Sequence, residues 1–176
     1  MKKILLFLCL MCTLCCMSQE HMKFMEISMG QKVEAFSDAL KKKGFALLPK
    51  SKTSPKGQRF FSGKFAGKQV ELRIDYDNVD NDVFFVTIDF GFGMPQLEID
   101  QLYEDLLVSL AVKYIDFKMI KEDSPASVMF NSEIGGVVLY FKQNSQEQQK
   151  IILNYCDMIN LKKNRERKTS EVYNDI

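Results

Sequence analysis

The chain holds one histidine, His21, and a single cysteine beyond its first eighteen residues, Cys156. A thiol nucleophile needs a base within hydrogen-bond reach, and His21 is the only imidazole on offer, at the far end of the sequence, from where folding could bring it close. The alternation of Ile151, Leu153 and Tyr155 puts Cys156 on the other face of a strand, beside Ile152 and Asn154. That pattern favours a packed thiol over a reactive one. One histidine cannot build a multi-histidine metal site. A serine hydrolase would also have to use His21, and no G-x-S-x-G elbow is present. Gly91-Phe92-Gly93 lacks the third glycine of a dinucleotide fingerprint and reads as a turn.

The acidic run from Asp75 to Asp82 is the strongest metal candidate. Asp75, Asp77, Asp80 and Asp82 offer hard oxygens at close spacing, as Ca²⁺ prefers. It is not an EF-hand: counting from Asp75, the sixth position is Asp80 where that loop needs Gly, and the twelfth is Val86 where it needs Glu. A solvated hairpin is the favoured reading. Glu71, Asp75, Asp77 and Asp89 are the carboxylates from which a small hydrolase of the cell envelope would draw an acid and a base. That chemistry requires a concave pocket with two convergent carboxylates, one of them desolvated. The chain has no Trp, the commonest sugar-stacking platform. The basic run Lys162-Lys163-Asn164-Arg165-Glu166-Arg167-Lys168 has the charge to touch phosphate, but it is interrupted by Glu166 and reads as a solvated helix end. No cofactor is called for.

Composition narrows the classes further. The 176 residues include 24 Lys+Arg against 23 Asp+Glu and are 46% hydrophobic. A formal charge of +1 excludes a broadly basic nucleic-acid binder, and a mean hydropathy of −0.15 excludes a multispan membrane protein. Global disorder is excluded by the apolar content.

The first eighteen residues read as an export signal. Met1-Lys2-Lys3 is a short positive region, and residues 4–16 are apolar apart from Thr13. The run is too short to span a bilayer but suits a signal-peptide core. Small residues at Cys16 and Ser18 place cleavage between Ser18 and Gln19. Lipidation of Cys15 or Cys16 is the competing reading, disfavoured because Leu14 precedes Cys15 and Cys15 precedes Cys16. Cleavage would remove two lysines and four of five cysteines, leaving a chain of charge −1 with one thiol and no internal disulfide. The expectation is a periplasmic or extracellular protein with no transmembrane segment in its mature form.

Residues 19–160 then read as one α+β domain and 161–176 as a charged helical tail. An apolar opening over 21–29 predicts a strand. Val33, Phe36, Ala39 and Leu40 recur at helical spacing, closed by Lys41-Lys42-Lys43 and Gly44. A short strand over 45–49 leads into a Lys/Ser/Pro/Gly loop over 50–58. Val70, Leu72, Ile74 and Tyr76 alternate with Glu71, Arg73, Asp75 and Asp77, and Phe84, Val86, Ile88 and Phe90 repeat the pattern. With 59–66 they predict a three-strand antiparallel meander. A second helix is predicted over 97–115, then strands over 127–131, 136–142 and 150–156. The expected architecture is an antiparallel sheet of six to seven strands with two helices on one face. The element order fits two helix-plus-strands halves.

The second helix is apolar beyond one stripe. Ile99, Leu102, Leu106 and Leu110 make its core side, while Leu107, Val108, Ala111 and Val112 carry apolar surface elsewhere. Either the helix is covered by the first one, or these four residues form a contact with a second copy or an envelope protein.

The chain resembles a group of small secreted, uncharacterised bacterial α+β domains. The likeness rests on the start His21-Met22-Lys23-Phe24, on Lys43-Gly44-Phe45, on Gly63-Lys64-Phe65-Ala66-Gly67, on Tyr155-Cys156-Asp157-Met158-Ile159-Asn160 (YxDxxN) and on the closing Asn174-Asp175-Ile176. The resemblance implies a secreted domain and carries no catalytic residue. At the level of topology the layout is similar to the tandem helix-plus-sheet arrangement of β-lactamase-inhibitor proteins, which bears on fold alone. The function expected is that of an exported, non-catalytic binding or interaction domain.

Overall fold

In the computed structural model, residues 20–49, 55–123 and 126–174 are described. The expected export signal, its cleavage point, Cys15 and Cys16, most of the 50–58 loop and the terminal Asp175-Ile176 lie outside the described residues.

The opening segment is a two-stranded antiparallel ribbon, β1 (Lys23–Phe24) and β2 (Ile27–Ser28), where one strand was expected. Met25 and Glu26 reverse the chain with φ of 49° and 66°. Two positive φ values in succession match the twist of a tight hairpin, and neither residue type advertises it in sequence. Helix α1 (Val33–Lys42) buries Val33, Phe36, Ser37 and Leu40. It ends as expected, with Lys41 and Lys42 in the last turn and Gly44 at φ 91°.

Eight strands form one antiparallel sheet in the order β3-β4-β5-β6-β10-β9-β8-β7. Its first half is β3 (Ala46–Leu47), β4 (Gln58–Phe65), β5 (Lys68–Tyr76) and β6 (Val83–Asp89). After helix α2 (Gln96–Lys113), the second half runs β7 (Lys118–Asp123), β8 (Ala126–Asn131), β9 (Gly135–Gln143) and β10 (Gln149–Asp157). Each half is a helix followed by a four-strand meander. The last strands of the two meanders meet at the centre, where Ile88 faces Leu153 and Val86 faces Tyr155. The expected two-half layout is therefore present, and the sheet has one strand more than the sequence suggested. The addition is β7, whose KMIKED sequence shows no core pattern because β7 lies at the sheet's edge.

The alternation of the strands divides the sheet cleanly. One face carries Phe61, Leu72, Ile88, Leu153, Leu139 and Val128, all buried and in register across six strands. Each such side chain contributes roughly 1.5–3 kcal/mol on burial. Both α1 and α2 pack on this face, α1 toward β3 and α2 toward β8 and β10. The ribbon inserts beside them: Phe24 stacks with Phe65 at 6.0 Å and meets Tyr155 edge-on at 5.1 Å.

Helix α3 (Met158–Asn174) follows β10 directly. It runs along the end of the sheet, past the starts of β9 and β6 and the β5–β6 turn. The segment expected as a charged tail is thus anchored to the body through Asn164, with Asn160 just before it, both buried.

Candidate interaction surfaces

Helix α2 fills the core with Ile99, Leu102, Leu106 and Leu110, and its opposite side faces outward. There Val108 is 61% exposed, Val112 72% and Ile115 79%, with Ala111 also exposed. Leu107 differs from its three companions: it is half-buried against the core cluster. The covering of α2 by α1 does not occur, because the two helices sit over different halves of the sheet. Val108 and Val112, one turn apart on the outer side of α2, with Ile115 in the turn that follows it, are an apolar patch beyond the single surface hydrophobes every protein has.

Among the described residues the other face of the sheet carries no helix: α1 and α2 cover the opposite face, and α3 crosses the strand ends. One straight row crosses seven strands on this open face, Phe60, Arg73, Thr87, Asn154, Val138, Met129 and Ile120. After Phe60 the row is polar through Arg73, Thr87 and Asn154, Arg73 donating from Nη2 to Thr87 Oγ1 at 3.2 Å. Its second half is apolar. Sequence alternation marks these residues as the wet face, and the apolar half of the row is visible only once β7 is in place.

The candidate carboxylates divide between this face and the sheet end. Glu71 and Asp89 are direct cross-strand neighbours in a shallow depression of about 420 Å³. Asp89 pairs with Lys150 at 2.5 Å and accepts from the Gly91 N–H at 2.8 Å. Glu71 is exposed and Asp89 is ion-paired with Lys150, so neither is the desolvated acid that glycoside chemistry requires. Asp75 accepts from Arg73 Nε at 3.0 Å and Gln58 Nε2 at 2.7 Å.

Asp77, Asp80 and Asp82 turn toward α3. Asp77 is buried and accepts from the backbone N–H of Val79 and Asp80, from Asn164 Nδ2 at 2.7 Å and from the Arg167 guanidinium. Burial alone would raise its pKa, but these donors outweigh it and hold the carboxyl down at about 2. Asp82 is opposed by burial in the same way and held below the ordinary range by Lys32 at 2.6 Å and Lys163 at 2.9 Å. Lys163 also reaches Asp80. The solvated-hairpin expectation fails for Asp77 and Asp82, which are buried; of the basic run, Arg167 is half-buried, while Lys163 stays exposed and is ion-paired. The two runs, distant in sequence, neutralise one another. Asp75 is held by Arg73 and Gln58 instead, and among the described residues no group of three or more His, Cys, Asp or Glu is arranged to hold a metal ion.

His21 and Cys156 do not combine. His21 Nδ1 meets Asp157 at 3.0 Å on the core side, whereas Cys156 lies on the open face with its sulfur 3.9 Å from that of Met158. Burial, reinforced by the Asp157 carboxylate, pushes the Cys156 thiol up to about 11. Among the described residues no helix is long and apolar enough to cross a membrane.

No protein-family model matches the chain, and no curated protein and no solved structure matches it.

Proposed function

We propose that this chain is an exported, non-catalytic interaction domain that docks a protein partner on the outer side of α2. The observation that carries the reading is the apolar patch of Val108 and Val112, exposed on a helix whose other side already fills the core, with Ile115 exposed in the turn just after it. Ala111 between them lets a partner's backbone approach closely. Export rests on the composition of residues 1–18. The likeness to small secreted domains in the HxKF and YxDxxN segments agrees with it.

The test joins processing with contact. The mass of the protein from fractionated native cells should begin at Gln19. A lipid adduct on Cys15 or Cys16 would instead place it on a membrane surface. A photo-crosslinking residue at Val112 should give one discrete adduct in cells, and Val108→Asp should abolish that adduct. Because Val108 is exposed, the same variant should change folding stability by no more than about 0.5 kcal/mol. An adduct pattern unaffected by Val108→Asp would remove α2 as the docking surface.

A further inference from the structure

The two edges of the sheet are unequal. On one side β3 is only two residues long and α1 packs beside it. On the other, β7 runs for six residues without Pro or Gly, in unbroken register with β8 from Lys118↔Asn131 to Asp123↔Ala126. Five of its six residues are exposed, and its outer side has no strand partner among the described residues. An edge of this kind is a template for a further strand unless something blunts it. The usual blunting device is charge, and β7 carries Lys118, Lys121, Glu122 and Asp123.

Those charges are arranged with opposite signs at the two ends. We propose that β7 pairs antiparallel with β7 of a second copy, centred on Ile120, joining the two sheets edge to edge. In that register Lys118 stands opposite the partner's Glu122, and Glu122 opposite the partner's Lys118, both pairs on the open face. Facing opposite charges stabilise an antiparallel pair, and like charges destabilise it. Centring the pair on Lys121 would set lysine against lysine. Centring it on Met119 would bring only Lys118, Met119 and Ile120 of each β7 into pairing and leave both lysine–glutamate pairs unmade.

The open face supplies a second, independent argument. Its apolar row Val138, Met129 and Ile120 stops at the β7 edge. In the paired arrangement that row continues into the partner's Ile120, so an apolar strip that ends at solvent becomes the centre of a continuous one. Two copies joined this way form a closed twofold dimer, the commonest oligomer symmetry.

Light scattering over a concentration series should show a dimer, and backbone amides of β7 should exchange more slowly in it than in the diluted monomer. Lys118→Glu sets like charges opposite at both symmetric positions and should weaken association at least ~10-fold. Glu122→Lys should do the same. The double swap Lys118→Glu/Glu122→Lys restores opposite charges and should return the affinity to within ~3-fold of the native value. Both positions are exposed, so unchanged melting temperatures exclude misfolding. Val108→Asp should leave this dimer intact, which separates it from the α2 contact. A monomer up to ~1 mM would overturn the proposal, that being the weak limit of useful affinity. So would a dimer indifferent to Lys118→Glu, or a double swap that fails to restore it.

Discussion

His21 and Asp157 lie 136 residues apart in the chain and 3.0 Å apart in space, Nδ1 against Oδ2. The same Oδ2 accepts the Met22 backbone N–H at 2.9 Å, while Oδ1 accepts the Asn160 N–H at 2.9 Å. Asp157 is therefore the N-cap of α3 and the anchor of the N-terminal ribbon at once. Asn160 completes the junction, its Nδ2 donating to the Met29 carbonyl at 3.2 Å and the Val83 carbonyl at 2.9 Å. The YxDxxN segment is a structural joint among ribbon, sheet and helix.

Asp157 has no exposed surface, and replacing it strands several buried donors together. Asp157→Ala should cost about 3–4 kcal/mol, from the lost cap and the unpaired Met22 N–H. Asp157→Asn keeps one acceptor oxygen and should cost about half as much. His21→Ala, at a partly exposed side chain, should cost at most about 1 kcal/mol. Urea midpoints rank the three. An Asp157→Ala protein within 0.5 kcal/mol of native, on the order of surface substitutions, would contradict the joint.

The Asp77 contact with α3 gives the protein an acid limit of known sign. Its folded pKa, about 2, lies below the ordinary carboxylate value. The stabilisation is thus fully present above pH ~4 and is lost as pH falls through about 2. Asp77→Asn should lower stability by about 2 kcal/mol at pH 7, and the gap between native and variant should close below pH ~2. A gap that stays constant over that range would show that the carboxylate's charge is not what Arg167 and Asn164 hold.

What was legible in the sequence divides along physical lines. The β4–β6 meander shows because its strands bury one face and wet the other, writing a period of two into the chain. Helix α1 shows through its cationic last turn and Gly44. The outward apolar residues of α2 also show, since Val108 and Val112 break its polar side. Strand β7 does not show: an edge strand whose residues are mostly exposed carries no alternation. The ribbon turn is hidden because Met25-Glu26 takes positive φ without Gly or Asn. The acidic turn looked solvated because its counter-charges, Lys163 and Arg167, are supplied by a helix some 85 residues later, and contact across such a distance leaves no local pattern. The same holds for Asp157, whose partners come from the opposite end of the chain.

Cys156 should be a slow thiol. With its pKa near 11, about two units above the ordinary value, its thiolate fraction at pH 8 is roughly a hundredfold smaller than that of an unperturbed cysteine. Alkylation by iodoacetamide of the native protein should lag the urea-unfolded chain by about that factor. Equal rates would mean that the thiol is neither desolvated nor under the influence of Asp157.

Gly135 tests how tightly the joint is built. It opens β9 opposite Asp157, where the ribbon crosses the strand ends. A Cβ added there would collide with the Cys156 carbonyl oxygen and lie 3.1 Å from the Met22 side chain. The carbonyl is backbone within the β9–β10 ladder and cannot swing aside, unlike the end of a flexible side chain. Gly135→Ala should therefore cost about 2–3 kcal/mol, although alanine is ordinarily the better residue for an extended position. Gly67, by contrast, has open space around it at φ 76°. There alanine meets only the backbone penalty of the left-handed region, about 1–2 kcal/mol. Thermal unfolding of the two variants separates crowding from conformation. If Gly135→Ala proves as mild as Gly67→Ala, the strand ends have room to part, and close packing at Gly135 is not what fixes the ribbon in place.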